Sequence, residues 1–142
     1  MPARRLSDRH PFEVYLLLAL LVSAAPAAFG FAQVPQSVEG LVPPVVGRLW
    51  AIALWAGCLV AVIGLVWRRP PFPRVSVTGL LLEQVGLTLA GTASILYGAI
   101  IVQSAGVRGL ISAGAVAAFG AASLAQALKI RFILASAARA DT

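Results

Sequence analysis

The chain has 142 residues, of which 60% are hydrophobic and 11% charged, whereas a soluble domain carries roughly 45–50% apolar and about 25% charged residues. Eleven basic and five acidic side chains are too few for a polar shell, which argues strongly against a water-soluble enzyme, and the apolar content excludes a disordered chain. The net charge of +6 falls between apolar blocks rather than on one face, so it does not point to nucleic acid.

An integral membrane protein remains, consistent with the mean hydropathy of +0.92. A hydrocarbon core about 30 Å thick needs roughly 20 apolar residues in a helix. The first such stretch covers residues 14–32, VYLLLALLVSAAPAAFGFA, with no charge. Pro26 is expected to kink it, because a proline ring removes a hydrogen bond and crowds the preceding turn. The same stretch can be read as a cleaved secretory signal. In that reading Arg4 and Arg5 form the basic start and Gly30-Phe31-Ala32 a small-x-small cleavage site. Its length and the interruptions at Asp8, His10 and Glu13 favour a retained span.

QVPQSVEGLVPP, with three prolines, reads as a short loop. A second span covers residues 45–67, with Arg48 near its start and Cys58 inside it. A lone cysteine there reads as a small buried hydrophobe. WRRPPFPR then breaks the chain. A third span covers residues 77–102 and is followed by the turn QSAGVRG. A fourth covers residues 110–128, and KIRFILASAARADT closes the chain. The expected architecture is all-α, a polytopic integral membrane protein forming one membrane domain over residues 1–142, with four transmembrane helices in a compact bundle.

The basic residues set the orientation. Arg4, Arg5 and Arg9 precede the first span, Arg68, Arg69 and Arg74 lie between the second and third, and Lys129, Arg131 and Arg139 follow the fourth. The other side has only Arg48 and Arg108. Both termini are therefore expected in the cytoplasm, and the protein in the inner (cytoplasmic) membrane. Trp50 near the outer face, with Trp67 and Tyr15 near the inner face, fits interfacial aromatic anchoring. Arg48 is expected to snorkel to the outer interface.

Little in the sequence can carry catalysis. The carboxylates are Asp8, Glu13, Glu39, Glu83 and Asp141, and the single histidine, His10, precedes Pro11. A serine-type hydrolase needs a base beside its nucleophile, an intramembrane aspartyl protease needs two aspartates in the bilayer, and a zinc site needs three or four ligands. Neither a GxxxxGK loop nor a CxxCH haem motif is present. A non-enzymatic protein without cofactor or metal is expected.

Glu83, with Gln84 beside it, is the candidate intramembrane polar site. It lies about 9 Å into the third span at 1.5 Å per residue, where an ionised carboxylate must face protein or water. It reads either as a proton- or ion-responsive group or as a structural carboxylate paired with Arg68, Arg69 or Lys129. Glu13, nearer the surface, reads as a favourable acidic residue in a first helical turn.

Small residues form the second pattern. Gly86, Ala90, Ser94 and Gly98 recur every four residues, as do Gly114, Ala118 and Ala122. Ala113, Ala117, Ala121 and Ala125 run beside the latter, and the second span offers Ala53, Gly57 and Ala61. Such faces let helix backbones approach closely in lipid. They serve either packing within one chain or lateral self-assembly. The tail interleaves Lys129, Arg131 and Arg139 with Ile130, Phe132, Ile133 and Leu134. It reads as positive-inside anchoring, or as a continuation of the fourth helix along anionic lipid.

RHPFEVYLLLALL, LVPPVVGRLW, WRRPP, GLLLEQVGLTLAG and GVRG resemble the small four-span membrane proteins encoded by phages that infect actinobacteria. That resemblance implies a multi-pass membrane protein, in some members holin-like, and it carries over no functional residues. Ala-, Val-, Leu- and Arg-rich usage with one lysine also suits a host of high genomic GC content. Three functions follow as expectations. The first is a holin-like protein that assembles with itself and permeabilises the membrane. The second is an accessory subunit or anchor bound to another membrane protein. A small transporter or channel using Glu83 ranks last, because broken helices in matching halves are missing.

Overall fold

A computed structural model describes residues 11–31, 43–67 and 77–140, with side chains for 14–31, 43–67 and 77–136. Arg4, Arg5, Asp8, Arg9, His10, Glu39, Arg68, Arg69, Arg74 and Asp141 lie outside the described residues, as do the side chains of Glu13 and Arg139. The described chain is all-helical: α1 (Pro11–Ala28), α2 (Pro44–Val66), α3 (Val77–Ala105), a 3₁₀ turn (Gly106–Gly109) and α4 (Leu110–Ala140).

Turn chemistry explains each boundary. Pro26 sits in the last turn of α1, and the helix runs through it and stops two residues later. The stop belongs to Gly30, at φ +78°. Its N–H donates to Ala27 O (3.3 Å), and the N–H of Phe31 donates to Pro26 O (2.8 Å). This is the six-to-one and five-to-two pairing of a Schellman cap, which needs a left-handed residue that glycine adopts without cost. The first span therefore ends before the expected residue 32.

Pro43 and Pro44 start α2. Pro43 is extended (φ −52°, ψ 144°), and its carbonyl accepts from the N–H groups of Val46 (2.9 Å) and Gly47 (3.2 Å). Pro44 follows at the first helical position, where its missing N–H costs nothing. Gly106, at φ +55°, turns the chain out of α3. Gly109 then permits α4 to start against α3, since a Cβ there would lie 2.9 Å from both Ala105 Cβ and Ile101 Cγ2.

At its other end α4 runs on to Ala140, well past the expected residue 128. No proline or glycine follows Gly120, so nothing interrupts it. Its 31 residues span about 46 Å at 1.5 Å per residue, longer than a hydrocarbon core of about 30 Å. The basic tail thus continues the helix, with Lys129 and Arg131 exposed.

α1 packs against α2, α2 against α3 and α3 against α4. The first and last helices make no close backbone approach among the described residues. The fourth side of the expected bundle is therefore open at the level of the backbone. One core nevertheless draws on all four helices, with Leu17, Leu54, Cys58, Leu87, Ala127 and Ile130 among its members.

Size, more than polarity, separates inside from outside. Buried positions include Ala51, Ala61, Ala90 and Ala93, with Gly57, Gly86 and Gly98 beside them. Val22, Val85, Leu96, Ile111 and Phe132 are exposed. Two helical stretches, Pro44–Val66 and Val77–Ser136, are long and apolar enough to cross a membrane, and the second is folded back on itself at Gly106. Val14–Ala28 is a shorter apolar helix.

Candidate functional site

Three glycines bring α2 and α3 together. A Cβ on Gly57 would lie 2.7 Å from Ala90 N, and one on Gly64 would lie 2.5 Å from Glu83 N and 2.7 Å from Gly79 O. One on Gly86 would collide with Ala61 N. These approaches are backbone on backbone, so a side chain at any of the three would force the helices apart. Close approach of this kind lets dispersion contacts accumulate along the seam.

Glu83 lies at the far end of that seam, its backbone against Gly64, with 0% of its surface exposed. Gln84, the next residue, is half-buried, and its carbonyl accepts from Thr88 Oγ1 (2.8 Å). Of the basic groups considered beside Glu83, Lys129 is exposed and lines a shallow groove on α4 with Phe132 and Ser136. Arg68 and Arg69 lie outside the described residues. Among the described residues, no three His, Cys, Asp or Glu side chains are grouped to hold a metal ion.

The four small residues of α3 are all buried: Gly86 and Ala90 face α2, and Gly98 faces α4. Ser94 is buried with them and donates to Ala90 O (2.8 Å). The α4 pattern divides differently. Ala113 is buried and Ala117 half-buried, whereas Gly114, Ala118, Ala121, Ala122 and Ala125 are exposed. A Cβ on Gly114 would meet nothing within 4 Å. The α3–α4 seam runs instead through Gly91 and Gly120, with Gly98 against Ala113.

Gly64, Gly91 and Gly120 are absent from the one-turn patterns of the sequence. Seven-residue spacing reveals the α3–α4 seam: Gly91 and Gly98 on one helix, and Ala113, Gly120 and Ala127 on the other. A two-turn repeat returns to the same face with less drift than a four-residue repeat.

Trp50 is half-buried near the start of α2, and its indole turns inward: the N–H donates to Ala93 O (2.9 Å) and the ring lies on Tyr97 at 4.5 Å between centroids. Tyr15 and Trp67 are exposed, and Cys58 is buried and free. Comparison with protein-family models, curated proteins and solved structures finds no match to this chain.

Proposed function

We propose that this chain is a non-enzymatic, four-pass protein of the cytoplasmic membrane, with both termini in the cytoplasm, and that it assembles laterally with itself through α4. One observation carries this reading. Of the two small-residue patterns, the one on α3 is consumed within the chain, while Gly114, Ala118 and Ala122 on α4 face outward. In lipid, an exposed glycine–alanine surface is where a second helix can come closest.

The membrane location rests on the apolar exterior. Patches of exposed Val, Leu, Ile and Phe are a liability in water and an ordinary surface in lipid. Orientation rests on the arginine and lysine distribution. Short connections and a self-associating helix fit holin-like permeabilisation, the form of assembly that the phage-protein resemblance suggests.

Crosslinking in native membranes tests the assembly, and membrane potential under inducible expression tests its consequence. Homo-oligomers that dissipate the potential support the proposal. A protein that crosslinks only to another membrane protein is an accessory subunit using the same face, and one that stays monomeric at high expression overturns the assembly.

A further inference from the structure

All four helices line a cavity of about 410 Å³ in the half of the molecule nearer the 3₁₀ turn. That is within the roughly 300–1,000 Å³ of small-molecule sites. Leu16 and Leu20 of α1, Trp50 and Leu54 of α2, and Val116 and Phe119 of α4 are the large apolar side chains of its wall. Glu83 is in the other half and is no part of it.

Water is a poor occupant. A buried water wants two to four polar partners, and several polar groups here already spend their protons on the backbone. Ser23 donates to Leu20 O, Ser94 to Ala90 O, and Trp50 to Ala93 O. Left empty, the wall would forfeit dispersion contacts along its whole length. An apolar molecule satisfies it best.

Position and charge identify that molecule. Among the described residues, the seam between α1 and α4 has no close backbone contact. If the helices span a bilayer, as proposed above, this seam faces lipid tails. At the same end lies Arg48, exposed, with its guanidinium over Gly30, Nη2 3.3 Å from where a Cβ would be. Arg48 stands three residues before Ala51, which lines the cavity, so the two share a face of α2. Glu83, the one acidic side chain described, is at the opposite end. We infer that the cavity takes one acyl chain of a phospholipid whose phosphate is held by Arg48.

The test uses the full-length protein in bilayers of phospholipid brominated on its chains, because bromine quenches tryptophan on contact. Trp55→Phe and Trp67→Phe leave Trp50 in the cavity wall as the single reporter. Its fluorescence is expected to fall in brominated lipid although its indole is turned inward. Ala24→Leu and Ala115→Leu, which fill the cavity, should each abolish most of that quenching. Arg48→Gln should reduce the phospholipid retained by the purified protein in native mass spectrometry. A second reporter carries Val22→Trp, on an exposed position of α1, with the three native tryptophans replaced by Phe. Quenching at position 22 without quenching of Trp50 overturns the lipid site and leaves the membrane reading intact. Quenching at neither position overturns both. Quenching of Trp50 that persists unchanged in both folded cavity-filling variants also overturns it.

Discussion

Gly91 and Gly120 face each other across the α3–α4 seam with no room for a methyl group on either. A Cβ on Gly120 would lie 2.7 Å from the carbonyl oxygen of Gly91, and one on Gly91 would lie 2.9 Å from that of Gly120. The obstructing atoms are backbone, so relief requires moving a helix. Gly120→Ala is expected to destabilise the protein by about 1–3 kcal/mol, the usual range for overpacking. Gly114→Ala, on the open side of the same helix, should be neutral or stabilising by up to about 1 kcal/mol, since alanine is the better helix former. Thermal unfolding in detergent compares the two directly. Equal effects would mean that the seam is not where the structure puts it.

Glu83 supplies a second prediction. Its side chain is fully buried at the end of the α2–α3 seam. Glutamine has the same shape and keeps hydrogen-bonding capacity, so Glu83→Gln should preserve expression and folding. Glu83→Leu removes both and strands any polar or basic group that meets the carboxylate, which is costly in a buried setting. Reduced thermal stability in the leucine variant alone fits a structural carboxylate. Normal folding with altered ion flux in the glutamine variant would instead make Glu83 a transport group.

The legible parts of this fold are those written in prolines and apolar runs. Pro43 and Pro44 mark the start of α2 in the sequence and in space, and Val77 opens α3 where the apolar run begins. The end of α1 is less legible because Pro26, a helix breaker by type, is passed over and the cap forms at Gly30, four residues on, through its left-handed φ. The length of α4 is legible only as one of two readings of the tail, because Lys129 and Arg131 interrupt the hydropathy without interrupting the backbone. Small-residue stripes announced close packing but not which stripe meets which helix. That choice depends on how α3 turns to serve α2 with one face and α4 with another. Trp50 shows the same limit: its place near a helix end was visible, its inward rotation onto Tyr97 was not. The cavity has no sequence signal, since its wall combines residues of all four helices that are far apart in the chain.

Topology gives a third prediction. The turn Gly106–Gly109 folds α3 back into α4, so the two helices' far ends share a side. Reporter fusions at Thr142 and near Glu39 should lie on opposite sides of the membrane. An insertion at Val107, which is exposed in the turn, should report the same side as Glu39. Placement of Thr142 and Glu39 on one side would remove the four-pass reading, and placement of Val107 with Thr142 would contradict the α3–α4 hairpin.

The last prediction concerns lateral assembly. Between Gly114 and Ala125 the outward face of α4 carries glycine and alanine alone: Gly114, Ala118, Ala121, Ala122 and Ala125. Phe132 and Ile111, both exposed, bracket it. A partner helix lying there could approach as closely as α3 does on the other side through Gly120. Gly114→Leu and Ala118→Leu should therefore lower crosslinked oligomer while leaving insertion intact, because leucine itself favours insertion. The bulky side chains hold two copies apart and weaken dispersion along the whole face. Gly98→Leu is the contrasting variant. Gly98 is buried, with Ala113 O 3.1 Å from its would-be Cβ, so leucine there should unfold the α3–α4 hairpin and not merely separate monomers. Crosslinking yield and thermal stability must then move independently: yield alone for Gly114 and Ala118, stability for Gly98. If the α4 leucine variants crosslink as well as the parent protein, assembly does not run through this face. If the parent protein dissipates membrane potential on induction and these variants, crosslinking poorly, do not, the face and permeabilisation belong together.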